Sequence, residues 1–398
     1  MKTVGILGGG QLGTMLGTAI ADLGARVAFF EPDPEAPAVS RFADVTVASW
    51  DDASALRAFA ARCDVVSYEM EHVTVTDALR ELAAKTSLRP SLPVLETTQD
   101  RVREKRHLRA AGLPHASFEV AEGGEELRAK LRAFPRPCIV KTTRGGYDGK
   151  GQLFVRTDED LARALALPDD GTYVIEEALA LTMEASCIVA RGPGTEVCFP
   201  IFENSHRDHI LDVTVLPARV APPVAAAMER LALATARSLD VHGLLTVEFF
   251  LADPKGLRSP AVVEASTAIL VNELAPRPHN SGHVTRKACT ASQFEVLARL
   301  LLDLPVTAPT LLSKDAYCMG NLLGDVWLAQ AAALGRPATS DLDLGCLADF
   351  PDVLEVVLYG KAEARSKRKM GHFTCRAGRP DEALARARAF RDALERRG

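Results

Sequence analysis

The segment KTTRGGYDGKGQ, residues 141–152, combines residue types that suit phosphate binding. It holds four glycines and two lysines and directly follows the apolar residues 138–140. Glycine lets backbone amides approach phosphate oxygens closely, and lysine supplies charge that balances the phosphates. We expect Lys141 to point from a strand end toward the α and β phosphates of a nucleotide, with residues 145–152 folding over the rest as a lid. The alternative is a mobile hairpin turn, and the Walker pattern GxxxxGK[ST] is absent.

Acidic residues in strand-like runs further along the chain suggest a metal site. Glu248 lies in LLTVEFFL and Glu273 in ILVNELAP, where an unpaired carboxylate would be costly. With Asn272, the two carboxylates offer oxygen ligands for Mg²⁺, which would bridge nucleotide phosphates. Oxygen ligands alone do not separate Mg²⁺ from Mn²⁺. Glu264 in VVEAS competes for the same role, and the pattern leaves that choice open.

Two further glutamates end a predicted strand in YVIEEALAL. Glu176 and Glu177 stand where carboxylates could accept hydrogen bonds from an exocyclic amine and a ribose. An unrelated pair of glutamates at a strand edge is the alternative interpretation.

The glycine turn GILGGGQLG near the N-terminus resembles a dinucleotide fingerprint. Gly8, Gly10 and Gly13 have the GxGxxG spacing after a predicted strand, and Glu31 ends the next strand. A nicotinamide-dependent oxidoreductase is therefore one alternative. Tight strand-to-helix turns need glycine whatever they bind, so a packing turn or a site for another anion is favoured.

The N-terminal part of the chain shows an alternating β/α pattern. Apolar runs and helical periodicity predict strands at 3–7, 26–31, 45–48 and 65–68 and helices at 13–23 and 52–61. This order is typical of an open parallel sheet with helices on both faces. Two prolines in SLRPSLPVLETT mark the end of this unit near residue 97.

Three further units are predicted. Residues 98–180 hold a linker helix over 99–111 and a small α+β lid subdomain with a helix at 125–134, and residues 181–308 are a larger strand-rich unit carrying the metal site. Residues 309–398 form a C-terminal domain that ends in a charged helix over 381–397.

Composition excludes several classes of protein. The chain has 398 residues, 47% of them hydrophobic and 25% charged, with a net charge of −5, so nothing points to nucleic acid or an anionic membrane. No stretch approaches the roughly 20 apolar residues of a membrane-spanning helix. The eight cysteines form no CxxC pair, which is typical of a reduced, cytoplasmic protein without a thiolate metal site.

Four segments together carry a family resemblance: GGGQLGTML, KTTRGGYDGKGQ, NELAPRPHNSGH and YGKAEARSKRKMGH. In this order, over nearly the whole chain, they resemble the 5-(carboxyamino)imidazole ribonucleotide synthases, a family of ATP-grasp enzymes of purine biosynthesis. The resemblance implies a mixed α/β and α+β architecture. Its parts would be an N-terminal doubly wound parallel-sheet domain, a two-part ATP-grasp region and a small β-rich C-terminal domain.

The resemblance also implies roles for individual residues. The ATP-binding set would be Arg101, Lys141, Gly146, Tyr147, Asp148, Gly149, Lys150, Gly151, Gln152, Glu176, Glu177, Ala178, Leu179, Glu184, His206, Asn272 and Glu273. The catalytic set would be Arg277, His279, Asn280 and Lys150, and the metal ligands would be Glu248 and Glu273. The ribonucleotide would contact Gly10, Gln11, Leu12, Glu69, Lys361, Arg365, Arg368 and Lys369, with Glu71 a further candidate.

The implied reaction is ATP- and bicarbonate-dependent carboxylation of the 5-amino group of 5-aminoimidazole ribonucleotide, through carboxyphosphate. ATP is then a co-substrate, Mg²⁺ the cofactor, and a homodimer the usual assembly. A related ATP-grasp ligase, such as a formate-dependent glycinamide ribonucleotide transformylase or an enzyme acting on a biotin carrier, is an alternative, as is a non-catalytic nucleotide sensor.

Two features depart from the family pattern. Glu273 follows Glu248 by 25 residues, a longer spacing than usual, so either the hairpin between them is extended or Glu264 has taken the metal role. His72 stands where asparagine is usual, which affects the substrate contacts expected there.

Overall fold

The computed structural model describes residues 1–143, 151–335 and 341–396. Its strands form a five-stranded, a four-stranded and a ten-stranded sheet.

The N-terminal unit is the predicted parallel sheet with strand order β3-β2-β1-β4-β5. Its elements are β1 (Thr3–Leu7), α1 (Gln11–Asp22), β2 (Arg26–Glu31), α2 (Pro37–Arg41), β3 (Val45–Val47), α3 (Ala53–Ala60), β4 (Val65–Tyr68), α4 (Asp77–Lys85), β5 (Ser87–Leu88) and α5 (Leu92–Thr98). Strands β1, β2 and β4 have the predicted bounds. Helix α5 was not predicted; Pro93 sits in its first turn, where the missing N–H has no helical partner to lose.

The second unit is a four-stranded antiparallel sheet of order β6-β9-β7-β8 with two helices. Its elements are α6 (Arg101–Ala110), β6 (Phe118–Glu122), α7 (Gly124–Ala133), β7 (Cys138–Thr142), β8 (Gln152–Val155), α8 (Asp158–Leu165) and β9 (Thr172–Glu177). Lys141 pairs with Gln152, so β7 and β8 begin and end the glycine-rich segment side by side.

The third unit supplies most of the ten-stranded sheet. Its elements are β10 (Leu181–Gly192), β11 (Thr195–Cys198), β12 (Phe202–Arg207), β13 (Ile210–Leu216), α9 (Pro222–Ser238), β14 (Gly243–Ala252), β15 (Val262–Glu264), β16 (Thr267–Ala275), α10 (Thr285–Ala288) and α11 (Gln293–Leu301), with a 3₁₀ helix at Ser281–Val284. Side chains of β10 alternate: Val189 packs in the cluster that holds Met228 of α9, and Ile188 in the cluster that holds Phe294 of α11. Both faces of the sheet are thereby covered by helices.

The C-terminal strands continue that same sheet. The elements are β17 (Ala316–Leu323), α12 (Gly324–Ala333), β18 (Val353–Leu358), β19 (Lys369–Ala377) and α13 (Pro380–Arg396), with a 3₁₀ helix at Gly345–Asp349. Strand β17 pairs with β13, and β19 lies between β17 and β18. The β-rich C-terminal segment is thus an extension of the large sheet, in which β10, β12, β13 and β17 lie between β14 and β19. No helix within the described ranges is long and apolar enough to cross a membrane.

Candidate functional site

A single cleft of about 630 Å³ is lined from all three sheets. Lys141 enters it from the small antiparallel sheet, Glu248 and Glu273 from the large sheet, and Glu69 from the end of β4. Such a volume suits a nucleotide-sized ligand. Lys141 and Glu273, which the sequence placed on either side of a triphosphate, therefore face the same space.

The two candidate metal ligands come from neighbouring strands at a β-bulge. Val247 pairs with Leu274 and Phe249 with Val271, so Glu248 alone opposes both Asn272 and Glu273. This irregularity brings all three polar side chains to the cleft. The protein around the cleft and the charge of Glu248 raise the pKa of Glu273, because two adjacent carboxylates repel each other in a poorly solvated place.

Glu264 lies outside this arrangement. It ends β15, pairs with Thr267 across a tight turn, and forms an ion pair with Arg230 at 3.4 Å. The long spacing between Glu248 and Glu273 therefore reflects an extended hairpin carrying the extra strand β15, the first of the two alternatives that the sequence left open.

Lys141 belongs to a buried cluster of alternating charge. Its Nζ lies 2.6 Å from Oε2 of Glu176, and Lys105 Nζ lies 3.6 Å from the other carboxylate oxygen and donates to the carbonyl of Asn272 at 3.0 Å. Burial would raise the pKa of Glu176, but the two lysines outweigh it and hold that pKa at about 2. Glu176 is therefore an ionised anchor for both lysines, and because it also lines the cleft its contact with an amine or ribose stays a prediction.

The end of β9 and the residues that follow it are held by hydrogen bonds next to the cleft. Glu177 accepts from the Ser259 hydroxyl at 2.5 Å, and the Ala178 amide donates to the Pro137 carbonyl at 3.2 Å. Leu179 lines the cleft, whereas Ala178 is not among its lining residues.

Glu184 and His206 face each other on adjacent strands. Nδ1 of His206 lies 3.0 Å from Oε2 of Glu184, and both side chains line the cleft. Burial opposes the charged imidazole, but the bond to Glu184 prevails and raises the pKa of His206. The two predicted ATP-binding residues thus form one unit.

The segment after β16 places the predicted catalytic residues beside the acids. Nε2 of His279 lies 3.0 Å from Oε1 of Glu248, and Arg277 forms a two-bonded ion pair with Glu71, one bond measuring 2.8 Å. Burial works against the carboxylate of Glu71, yet Arg277 lowers its pKa to about 2. Asn280 and His72 also line the cleft.

The glycine turn is occupied by carboxylates. The amide of Gly10 donates to Oε1 of Glu69 at 2.6 Å, the amide of Gly13 donates to Oε2, and the amide of Gly9 donates to Oε2 of Glu31 at 2.5 Å. A pyrophosphate would need those same amides. The geometry therefore disfavours the nicotinamide alternative. Gln11 and Leu12 line the cleft, and their contact with the ribonucleotide stays a prediction.

The predicted phosphate-binding cations are only partly brought together. Lys369 lines the cleft, and Lys361 donates to the carbonyl of Lys369 at 2.8 Å. Arg368 donates to the carbonyl of Glu363 at 2.8 Å, and Arg365 pairs with the exposed Glu363 side chain at 2.5 Å. Of these four cations only Lys369 lines the cleft; Lys361, Arg365 and Arg368 are not among the lining residues.

Some predicted residues are outside the described ranges or were missed. Gly146, Tyr147, Asp148, Gly149 and Lys150 lie outside the described residues, whereas Gln152 and Arg101 line the cleft. Lys105 was missed because REKRH looks like a solvated charged helix, yet this side chain is 1% exposed. Only the tertiary packing of α6 against β16 reveals it.

Three family models match the chain in succession. The ribonucleotide synthetase preATP-grasp domain matches residues 1–99, the ATP-grasp domain residues 106–294, and the phosphoribosylaminoimidazole carboxylase C-terminal domain residues 318–386.

Similar proteins cover almost the full length. The N5-carboxyaminoimidazole ribonucleotide synthase of Bacillus subtilis is 35% identical over 376 residues, covering 93% of this chain and 90% of its own. A solved ADP complex of an N5-carboxyaminoimidazole ribonucleotide synthetase superposes with a TM-score of 0.86 at 33% identity, covering 99% of this chain and 98% of that one. The Aspergillus clavatus enzyme in complex with ADP and 5-aminoimidazole ribonucleotide has a TM-score of 0.84 at 30% identity and covers 99% of both chains.

Proposed function

The chain belongs to the N5-carboxyaminoimidazole ribonucleotide synthases, ATP-grasp ligases of purine biosynthesis, and we propose how its cleft carries out their reaction. The reaction joins bicarbonate to the 5-amino group of 5-aminoimidazole ribonucleotide while ATP becomes ADP and phosphate. One observation supports the proposal: Lys141, the paired acids Glu248 and Glu273, and Lys369 all line one cleft.

ATP would lie between the small antiparallel sheet and the large sheet. Ile139 and Phe154 on one side and Phe250 on the other provide apolar walls suited to a planar base. Leu179 would meet the base edge, and the Glu184–His206 pair would receive the ribose. Lys141, held in place by Glu176, would then face the phosphates.

The acidic pair fits a magnesium ion. Glu248 and Glu273 are hard oxygen donors, and burial together with the charge of Glu248 raises the pKa of Glu273. A bound cation would favour the ionised form of both carboxylates. No group of three or more His, Cys, Asp or Glu side chains in the described ranges could hold a metal by itself, so substrate phosphates would complete the coordination. When bound, magnesium would balance the charge of the β and γ phosphates.

Bicarbonate would be held by the segment after β16. Arg277 is fixed by Glu71 and His279 by Glu248, so both donors are positioned before substrate arrives. An oxygen of bicarbonate would attack the γ phosphorus, giving carboxyphosphate and ADP. Arg277 and His279 would orient the bicarbonate and stabilise negative charge on the oxygens of the transferred phosphoryl group.

The ribonucleotide would enter from the opposite end of the cleft. Lys361 and Lys369 would bind its 5′-phosphate, and Gln11 and Leu12 on the glycine turn would face its ring. The 5-amino nitrogen would attack the carboxyl carbon, or carbon dioxide released from carboxyphosphate, and phosphate would leave. Glu69 holds the glycine turn in place for this contact.

A coupled assay tests the proposal. Enzyme, ATP, magnesium and bicarbonate are mixed with and without 5-aminoimidazole ribonucleotide, and phosphate release is followed. We expect release to depend strongly on the ribonucleotide. Equal release without it, or with glycinamide ribonucleotide and formate in its place, would contradict the proposed substrate.

Manganese as a substitute metal, a cytoplasmic location and a homodimeric state are further proposals from the family resemblance. None of the eight cysteines, which all lie within the described ranges, forms a disulfide, which agrees with a reducing compartment. Sedimentation equilibrium would test the dimer, and a monomer at micromolar concentration would contradict it.

A further inference from the structure

A stacked pair of histidines lies between the two ends of the cleft. His283 and His372 have ring centroids 4.5 Å apart and an interplanar angle of 20°. The side chain of His372 is fully buried and His283 is 1% exposed, although His283 also borders the cleft. Tyr359 completes the group, since its hydroxyl lies 3.0 Å from Nδ1 of His372.

Each histidine is linked through neighbouring residues to one of the proposed substrate sites. His283 follows His279 through hydrogen-bonded turns, with the Gly282 amide donating to the His279 carbonyl at 3.0 Å. His372 and Tyr359 continue into the phosphate-binding lysines: the Tyr359 amide donates to the Met370 carbonyl at 2.8 Å, next to the bond between Lys361 and Lys369. The stack therefore joins the bicarbonate segment to β19, which begins at Lys369, and through Tyr359 to the loop that carries Lys361.

Packing alone does not account for two histidines here. Within the described ranges, Nδ1 of His283 and Nε2 of His372 have no hydrogen-bond partner, and a buried polar atom without a partner lowers stability. Aromatic hydrocarbon rings would fill the same space without that cost. Burial also lowers the pKa of His372 to about 3, so the stack stays uncharged at neutral pH.

We propose that Tyr359, His372 and His283 are positioning residues that align the ribonucleotide phosphate site with the bicarbonate site. The Tyr359–His372 bond fixes the orientation of the His372 ring, and ring stacking passes that orientation to His283 and its segment. The group touches neither reacting atom; it sets the distance between the 5-amino nitrogen and the carboxyl carbon. The inference rests on the proposed location of the 5′-phosphate at Lys361 and Lys369.

The test compares two tyrosine-to-phenylalanine variants. Tyr359→Phe removes only the hydroxyl that bonds His372, and we expect KM for 5-aminoimidazole ribonucleotide to rise about threefold to tenfold with KM for ATP unchanged. Tyr317→Phe is the matched control, since Tyr317 is equally buried in the same sheet and its hydroxyl bonds Ser313 at 2.9 Å. The control is expected to lower the melting temperature similarly while leaving both KM values unchanged.

Substitutions at His283 and Lys361 provide two further tests. His283→Leu keeps a side chain of similar volume but removes the stacked ring, and the same selective rise in KM is expected. Unchanged KM in both Tyr359→Phe and His283→Leu, or an equal rise for ATP, would overturn the positioning role. Lys361→Met separates the premises: if it leaves KM for the ribonucleotide unchanged, the proposed phosphate site is wrong, and the inference falls with it.

Discussion

At the scale of single residues, orientation distinguishes the two candidate acids of one hairpin. Glu273 faces the cleft beside Glu248, whereas Glu264 pairs with Arg230 at the hairpin end. Both are glutamates in short apolar runs, so residue type and local pattern do not separate them. What separates them is the bulge opposite Glu248, which turns Glu273 toward the cleft. This bulge depends on the pairing of β14 with β16.

Glu273→Gln tests the metal role. The substitution keeps the shape but removes the charge that would hold magnesium, so we expect kcat to fall at least about a hundredfold with the fold intact. Glu264→Gln is the matched control and is expected to retain activity. Steady-state kinetics and circular dichroism of both variants check this, and a reversed pair of results would move the metal site to Glu264.

Lys361 gives the enzyme a predicted pH dependence. Burial and the nearby cations Arg368 and Lys369 lower the pKa of Lys361 to about 8, so this lysine loses its charge above that pH in the free enzyme. We expect kcat/KM for the ribonucleotide to fall above pH 8, because the neutral amine no longer attracts the phosphate.

Lys361→Arg is the control for that pH profile. A guanidinium stays protonated throughout the range, so the fall above pH 8 should disappear. A wild-type profile that is flat to pH 10, or one that falls identically in the variant, would exclude Lys361 as the titrating group.

At the scale of elements, the glycine turn before α1 has the local structure that its motif predicts, but its amides bind carboxylates of this chain. GxGxxG predicted the strand, the tight turn and the helix, and all three are present. The motif did not indicate that Glu69 and Glu31 occupy its amides, because both carboxylates come from other strands. Lys105 was missed for the same reason, since its burial depends on β16 rather than on its own helix.

Gly13→Ala tests how tightly this turn is held. A Cβ at Gly13 would lie 2.5 Å from the Gly8 carbonyl oxygen and 3.0 Å from Glu69, so the turn must shift. We expect a loss of about 1–3 kcal/mol in the free energy of unfolding and a higher KM for the ribonucleotide. Gly378→Ala is the control, because its Cβ would come no closer than 3.6 Å to Glu382. Equal urea denaturation midpoints would contradict a closely packed turn.

At the scale of the whole molecule, three sheets meet at one cleft. The order of elements and the parallel N-terminal sheet were predictable because period-2 and period-3.6 patterns are local. The pairing of β17 with β13 was not predictable, because nothing near residue 316 indicates a partner strand about a hundred residues earlier. This pairing joins the C-terminal strands to the large sheet, and Lys369 at the start of β19 lines the cleft. Arg365 was grouped with Lys369 from the sequence, but its side chain pairs with Glu363.

The reaction proposed for the cleft begins with attack of bicarbonate on the γ phosphate of ATP. Bicarbonate labelled with ¹⁸O, in ¹⁶O water, would report this directly by mass spectrometry of the released phosphate. We predict one ¹⁸O atom in each phosphate formed, because the attacking oxygen stays on phosphorus when the carboxyl carbon departs. Phosphate that carries only ¹⁶O would mean that water attacks ATP, and it would contradict bicarbonate as the nucleophile.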